Sequence, residues 1–241
     1  QLRGLNSSGR AGSKADADML VANGNTVMPG SGPYTVTVPG ALAGWAELLE
    51  KHGTIPLARA LAPAIRYARD GYPVTEIIAD QWQDAEKKMS QDPASAAVFL
   101  PNGRALRHGE VFRNPDLAKT LEAVAKGGRD VFYRGAIGQA IAAHLQARGG
   151  FVTAEDMAGH RADWVEPIGT NYRGYDVYEM PPNTQGFVAL QMLNILEGFD
   201  LKPLGHNSAA YQHLLAEAKR VGFADRPAYL PPPHYVPAPV L

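Results

Sequence analysis

The stretch "GLNSSGRAG", residues 4–12, holds one cation, Arg10, among glycines, serines and an asparagine. A guanidinium presented by such a loop, with backbone N–H groups and hydroxyls around it, can grip a carboxylate through two parallel hydrogen bonds. Most loop arginines are instead solvated or cap a helix. On these residues alone a carboxylate site and a surface arginine are both open readings. Other chemistry is scarce. The chain has no cysteine, which removes disulfides, thiolate metal sites and a cysteine nucleophile. It has no P-loop, no G-x-G-x-x-G after a strand, no H-E-x-x-H and no G-x-S-x-G, so no cofactor is expected. Among the histidines, His206, His213 and His234 form the closest set, but they lack the i, i+4 spacing that would bring two onto one ion, and no metal is expected. The pairs Asp16 and Asp18, and Glu155 and Asp156, fit helix starts, where negative charge opposes the macrodipole. Asn6-Ser7-Ser8 matches a glycosylation sequon.

A second polar segment is "MPPNTQGF". Pro181 and Pro182 fix φ at successive positions, making the turn rigid before anything binds. The reading favours a junction between layers over a pocket wall built from Asn183, Thr184 or Gln185.

These segments are carried by a chain of 241 residues, long enough for a sizeable core. Its 23 basic and 24 acidic side chains nearly cancel, which argues against nucleic acid as a partner. No run approaches the roughly 18 apolar residues of a spanning helix, so no membrane span is expected. With 25 glycines and 19 prolines, well above the usual combined share of roughly 12%, much of the chain should be turn and shaped loop. It opens on "QLRGLNSSGR" without an initiator methionine and reads as the interior of a longer precursor.

Periodicity and caps predict a short helix over Lys14–Leu20 and a strand over Tyr34–Val38, where β-branched residues alternate. A helix follows with Leu42, Trp45, Leu48 and Leu49 on one face, stopping at a left-handed Gly53. The next places Leu57, Leu61, Ile65 and Ala68 in register and ends at Gly71 in the same way, and a third spans Thr75–Met89. A hairpin-like excursion turns at Asn102 and Gly103. Helices then cover Pro115–Ala125, capped by Asn114, and Val131–Ala147, and Thr153 with Asp156 forms a capping box for a short helix. Strands Val165–Tyr172 and Asp176–Met180 flank a tight turn at Arg173 and Gly174, and helices Val188–Leu196 and Ala209–Ala224 follow. The tail "RPAYLPPPHYVPAPVL" reads as irregular and wrapping. So few strands for so many helices suggest that part of a sheet comes from elsewhere.

The segments "LNSSGRA", "TVTVPGALAGW", "HGTIPLARALAPAIRYARDGYPV", "DVFYRG", "GGFVTAEDMAGHRADWVEPI", "YRGYDVYEMPPNTQGFVALQMLNILEGFDL" and "AEAKRVGFADRPAYL", in this order, resemble the γ-glutamyltransferase (γ-glutamyltranspeptidase) family. The likeness runs from about Leu5 to Leu230. It implies the α+β, four-layer αββα fold of the N-terminal nucleophile hydrolases, with this chain supplying mostly helices and a few strands. It also implies that residues 1–241 are a single segment of the large subunit, incomplete without a small subunit cut from the same precursor. In the family the small subunit's new N-terminal threonine is the nucleophile, and its α-amino group, of pKa near roughly 8, is its base. A γ-glutamyl ester forms and passes to water or to an amino acid or peptide. No catalytic residue is assigned within this chain. The family's arginine that binds the donor's α-carboxylate matches Arg10. Where well-known members carry "PPPSSGG" this chain has "PPNTQGF", and with "LNSSGRA" this resembles the branch that includes cephalosporin-acylase-like and poly-γ-glutamate-processing members. The alternatives are a glutaryl acylase and a non-catalytic scaffold. The family implies a periplasmic or secreted location, and a cytoplasmic one stays open.

Overall fold

A computed structural model describes residues 2–229. In chain order the elements begin with β1 (Gly4–Asn6), α1 (Ala17–Ala22), α2 (Ala41–His52), α3 (Leu57–Asp70), β2 (Tyr72–Pro73), α4 (Glu76–Met89), α5 (Pro93–Phe99) and β3 (Val111–Phe112). They continue with α6 (Pro115–Tyr133), α7 (Ala136–Ala147), α8 (Ala154–Gly159), β4 (Asp163–Val165), β5 (Ile168–Tyr172), β6 (Tyr175–Glu179), α9 (Gly186–Glu197) and α10 (Ala209–Tyr229). The chain divides into two compact units, Gly9–His160 and the combination of Gln1–Ser8 with Arg161–Leu241. Among the described residues all strands pair antiparallel in twos: β1 with β4, β2 with β3, and β5 with β6.

The unit Gly9–His160 is helical because its signals are local. Asp16 caps α1 by accepting from Asp18 N and Met19 N, so this helix starts and ends later than Lys14–Leu20. Asn114 caps α6 through Leu117 N at 2.9 Å, with Pro115 in the first turn as expected. Gly128, at φ 70°, breaks α6 before Tyr133, and α7 starts only at Ala136, so the expected Val131–Ala147 helix is split. On α3 the register buries Leu61 and Ala68, seven residues and two helical turns apart, on the expected face. Around β2 and β3, Val74, Ala79, Leu106 and Phe112 form a buried cluster with Trp82 and Val98 against it. Trp82 stands edge-on to Phe112 at 4.9 Å between centroids. Ion pairs fix the loops beside this cluster. Arg104 binds Glu110 with two hydrogen bonds, and that carboxyl falls to about 2. A hydrogen bond from Ser95 and another from Arg148 hold Asp92 at about 2.

Four expectations fail here. Tyr34–Val38 is no strand: a 3-10 turn covers Pro33–Thr35 and no ladder forms. On α2 the buried face is Leu42, Ala43 and Ala46, while Trp45 is 50% and Leu48 49% exposed. The cause is Tyr133, whose buried hydroxyl accepts from Ala43 N at 3.0 Å and donates to Pro39 O at 2.7 Å. The same first-turn N–H also donates to Gly40 O at 3.0 Å, so Ala43 N is shared between the turn and Tyr133, and the anchor turns Ala43 inward. Gly53 closes α2 in extended rather than left-handed conformation (φ −72°), whereas Gly71 does take positive φ (91°). Asn102 and Gly103 also have positive φ, but they lie in a 3-10 turn, because Val111–Phe112 pairs with Tyr72–Pro73 instead of folding back locally.

In the other unit, Arg173 (φ 52°) and Gly174 (φ 84°) form the expected tight turn between β5 and β6. The expected Val165–Tyr172 strand is two strands, and the first of them pairs with Gly4–Asn6, which the sequence did not suggest. A two-stranded ribbon is marginal alone. Here β5 and β6 pack against α9, which buries Phe187, Val188, Leu190 and Leu196. The helix α10 runs past Ala224 through Pro227 to Tyr229, with the Arg226 guanidinium 5.6 Å from the Phe223 ring. The first residues of the proline-rich tail are therefore helical; the rest, with His234, lies outside the described residues.

Candidate functional site

Arg10 sits on a strap, residues 9–13, fastened at both ends. On its N-terminal side a Cβ on Gly9 would overlap the Val38 carbonyl oxygen. Only glycine allows this approach, and it lets Val38 N donate to Arg10 O at 3.0 Å. Val38 is 2% exposed and directly precedes Pro39, whose carbonyl Tyr133 anchors. The alternating "YTVTV" pattern thus serves a single backbone bond to the strap. On the C-terminal side a Cβ on Gly12 would overlap the Phe151 carbonyl and the Val152 nitrogen. Phe151 is buried and stacks on Tyr34 at 5.2 Å.

Ser13 then closes the strap onto α8. Its N–H and hydroxyl donate to Asp156 Oδ2 at 2.8 and 3.1 Å. The same oxygen accepts Thr153 N at 2.9 Å, while Thr153 Oγ1 accepts Asp156 N at 3.1 Å. The expected capping box is present, and its acid does a second job. Burial pushes the Asp156 carboxyl up, but the hydrogen bonds from Ser13 and Thr153 outweigh it and leave it below its ordinary value. A lowered folded-state pKa means that this carboxylate stabilises the fold above the ordinary carboxyl range and ceases to as pH falls through the folded value.

The strap's backbone is thus fixed while Arg10 itself is exposed, and among the described residues its guanidinium has no ion-pair partner. A held backbone with an uncommitted guanidinium can accept a carboxylate from outside. The strap's anchors were invisible in the sequence, since Val38, Phe151 and Asp156 are remote; the paired glycines flanking Arg10 were the available signal.

In the other unit the Pro181–Gly186 turn is held by its own residues. Thr184 Oγ1 lies 2.8 Å from Met180 O and 3.2 Å from Pro181 O. Asn6 Nδ2 donates to Asn183 Oδ1 at 2.9 Å, and Asn6 Oδ1 accepts from Ser8 N at 3.0 Å. The sequon's amide is therefore occupied in the fold. Gly186 is the first residue of α9, and its need is close approach: a Cβ would stand 2.7 Å from Glu179 Cβ. Gln185 is exposed and makes no capping bond. Replacing Gln185 by Ala is expected to leave Tm nearly unchanged, because an exposed side chain without a capping bond contributes little to the fold, and thermal melting checks this.

Elsewhere the chemistry is thin. A hollow of about 550 Å³ lined by Val36, Phe132, Ile137, Ile141 and Leu145 has His144 as its one ionisable side chain. Among the described residues no group of three or more His, Cys, Asp or Glu is placed to hold a metal ion, and no helix is long and apolar enough to cross a membrane.

The family model described as gamma-glutamyltranspeptidase matches residues 1–241. The chain belongs to the gamma-glutamyltranspeptidase family. The glutathione hydrolase-like YwrD proenzyme of Bacillus subtilis is 39% identical over 239 residues, 98% of this chain and 45% of the relative. The acylase ACY 1 proenzyme of Pseudomonas sp. strain SE83 is 41% identical over 210 residues, 87% of this chain and 38% of the relative. Among solved structures, the gamma-glutamyltranspeptidase of Helicobacter pylori superposes with a TM-score of 0.92 at 32% identity, covering 99% of this chain and 70% of that one. A cephalosporin acylase from Bacillus halodurans gives 0.88 at 41% identity, covering 100% of this chain and 46% of that one. The fold is thus the α+β fold of the N-terminal nucleophile hydrolases, with this gamma-glutamyltranspeptidase-family chain supplying mostly helices and few strands. The chain spans less than half the length of these curated relatives.

Proposed function

We propose that this chain is a single large-subunit segment of a γ-glutamyltransferase or hydrolase, and that Arg10 binds the donor's α-carboxylate. It acts with a small subunit from the same precursor, whose N-terminal threonine supplies nucleophile and base. The threonine hydroxyl adds to the γ-carbonyl as the α-amino group takes its proton. The C–N bond breaks, the amine leaves with that proton, and the ester passes to water or to an amino acid or peptide. The observation that carries this reading is the fixed strap with its exposed guanidinium, without an ion-pair partner among the described residues, in a chain of this family.

A second reading has specific support, because two acylases are 41% identical to this chain. Under it the donor is a glutaryl amide of a β-lactam nucleus. Glutaryl and γ-glutamyl groups share the distal carboxylate and differ in the α-amino group, so Arg10 serves both. The readings part at whatever receives the amine. The test compares a γ-glutamyl anilide with a glutaryl anilide in the assembled, self-cleaved enzyme. The first reading expects the γ-glutamyl donor to turn over faster. Faster glutaryl cleavage would favour the acylase, and a cleaved, folded enzyme inert to both would point to a scaffold.

A further inference from the structure

Asp156 sits 143 positions beyond Ser13, on a different segment, yet one of its oxygens gathers three donors: Ser13 N, Ser13 Oγ and Thr153 N. A helix cap requires only the last of these. The two bonds to Ser13 spend the carboxylate on the strap, three residues past Arg10. At the other end of the strap the single backbone bond from Val38 fixes Arg10 O but not the direction in which the chain leaves it. Gly12 lies close against the Phe151–Val152 backbone, and its carbonyl accepts Ala15 N at 2.9 Å, a local turn that does not tie the strap to another segment. The Asp156 clasp is therefore what presses the C-terminal half of the strap into place.

We propose that Asp156 is a positioning residue for substrate binding: it clasps Ser13 and so sets the reach of the Arg10 guanidinium. This rests on the reading of Arg10 as the carboxylate binder. The residue touches no substrate itself and acts through the strap.

The role separates from helix capping by comparing two variants. Thr153→Ala removes the hydroxyl that caps α8 but keeps the carboxylate and its bonds to Ser13. Asp156→Asn removes the charge that all three donors share. In the assembled enzyme, Asp156→Asn is expected to raise KM for a γ-glutamyl anilide roughly tenfold at nearly constant kcat. It should leave a 4-aminobutyryl anilide, which lacks the carboxylate, unaffected. Thr153→Ala should lower Tm without moving either KM. Amide hydrogen exchange at Ser13 gives a readout independent of turnover and should quicken in Asp156→Asn but not in Thr153→Ala. Unchanged exchange at Ser13 would overturn the clasp whether or not the enzyme cleaves these donors. Faster exchange with an unmoved KM for the carboxylate-bearing donor would overturn the link to Arg10. Equal KM shifts in both variants would reduce Asp156 to a cap. If the wild type cleaves neither anilide while exchange behaves as expected, the clasp stands and the donor assignment fails.

Discussion

Arg10→Ala is expected to lower kcat/KM for a donor bearing the α-carboxylate by roughly a hundredfold or more, and Arg10→Lys by roughly ten- to a hundredfold. The guanidinium offers two parallel N–H groups in a plane that matches a carboxylate, and a charge-assisted bond of this kind contributes about 1.5–3 kcal/mol. Lysine keeps the charge but not the fork, so it remakes one bond at most. Alanine remakes none. Because Arg10 is exposed and has no ion-pair partner among the described residues, its loss leaves no buried charge behind, and Tm should hardly move. The decisive control is a donor without the carboxylate, such as a 4-aminobutyryl anilide, which never made the contact. A cycle of two donors against wild type and Arg10→Ala, with self-cleavage followed separately, isolates the interaction. Equal losses for both donors would show that Arg10 supports structure or maturation and does not read the substrate.

Gly12→Ala should be, with Gly9→Ala, among the most damaging single methyl groups in the strap. The added Cβ would overlap main-chain atoms of Phe151 and Val152, and a main-chain clash cannot be relieved by turning a side chain. Neither neighbour can retreat, since Phe151 is 4% and Val152 0% exposed. The strap must lift away, breaking the Ser13 bonds to Asp156, or the core must open. Overpacking of this kind costs about 3 kcal/mol, which for a unit of this size corresponds to a fall in Tm of about 6–12 °C. Carboxylate-dependent turnover should fall with it, because Arg10 leaves its place. Thermal melting and donor kinetics on Gly12→Ala check both, and unchanged Tm and KM would mean that the strap does not lie on Phe151 in solution.

How far the sequence could be read depended on the range of each signal. The Asn114 cap and the Thr153–Asp156 box lie within three residues of what they organise, and both appear as expected. The register of Leu61 and Ala68 on α3 is equally local. Trp45 and Leu48 show where that logic stops. The helical period was legible, but Tyr133, 90 positions away, decides which arc of α2 turns inward. Alternation over Tyr34–Val38 is a sound strand signal without a partner, and no neighbouring strand exists there among the described residues. The short pairing of Gly4–Asn6 with Asp163–Val165 joins segments far apart in the chain and leaves too few residues for a pattern. At the candidate site, Arg10 could be singled out by residue type. What holds it could not, because Val38, Phe151 and Asp156 come near it only in the fold.

The clasp between Ser13 and Asp156 joins positions 143 apart in the chain, and this orders events in time. Closing a loop of that length has an entropic cost that only the packing of the intervening helices can offset, so contacts of such range form after the local ones. The helices α2 to α7 have to find one another before Ser13 meets its acceptor. A nascent or partly folded chain therefore carries Arg10 on a loose thread, and the strap is set only once the whole unit Gly9–His160 has assembled.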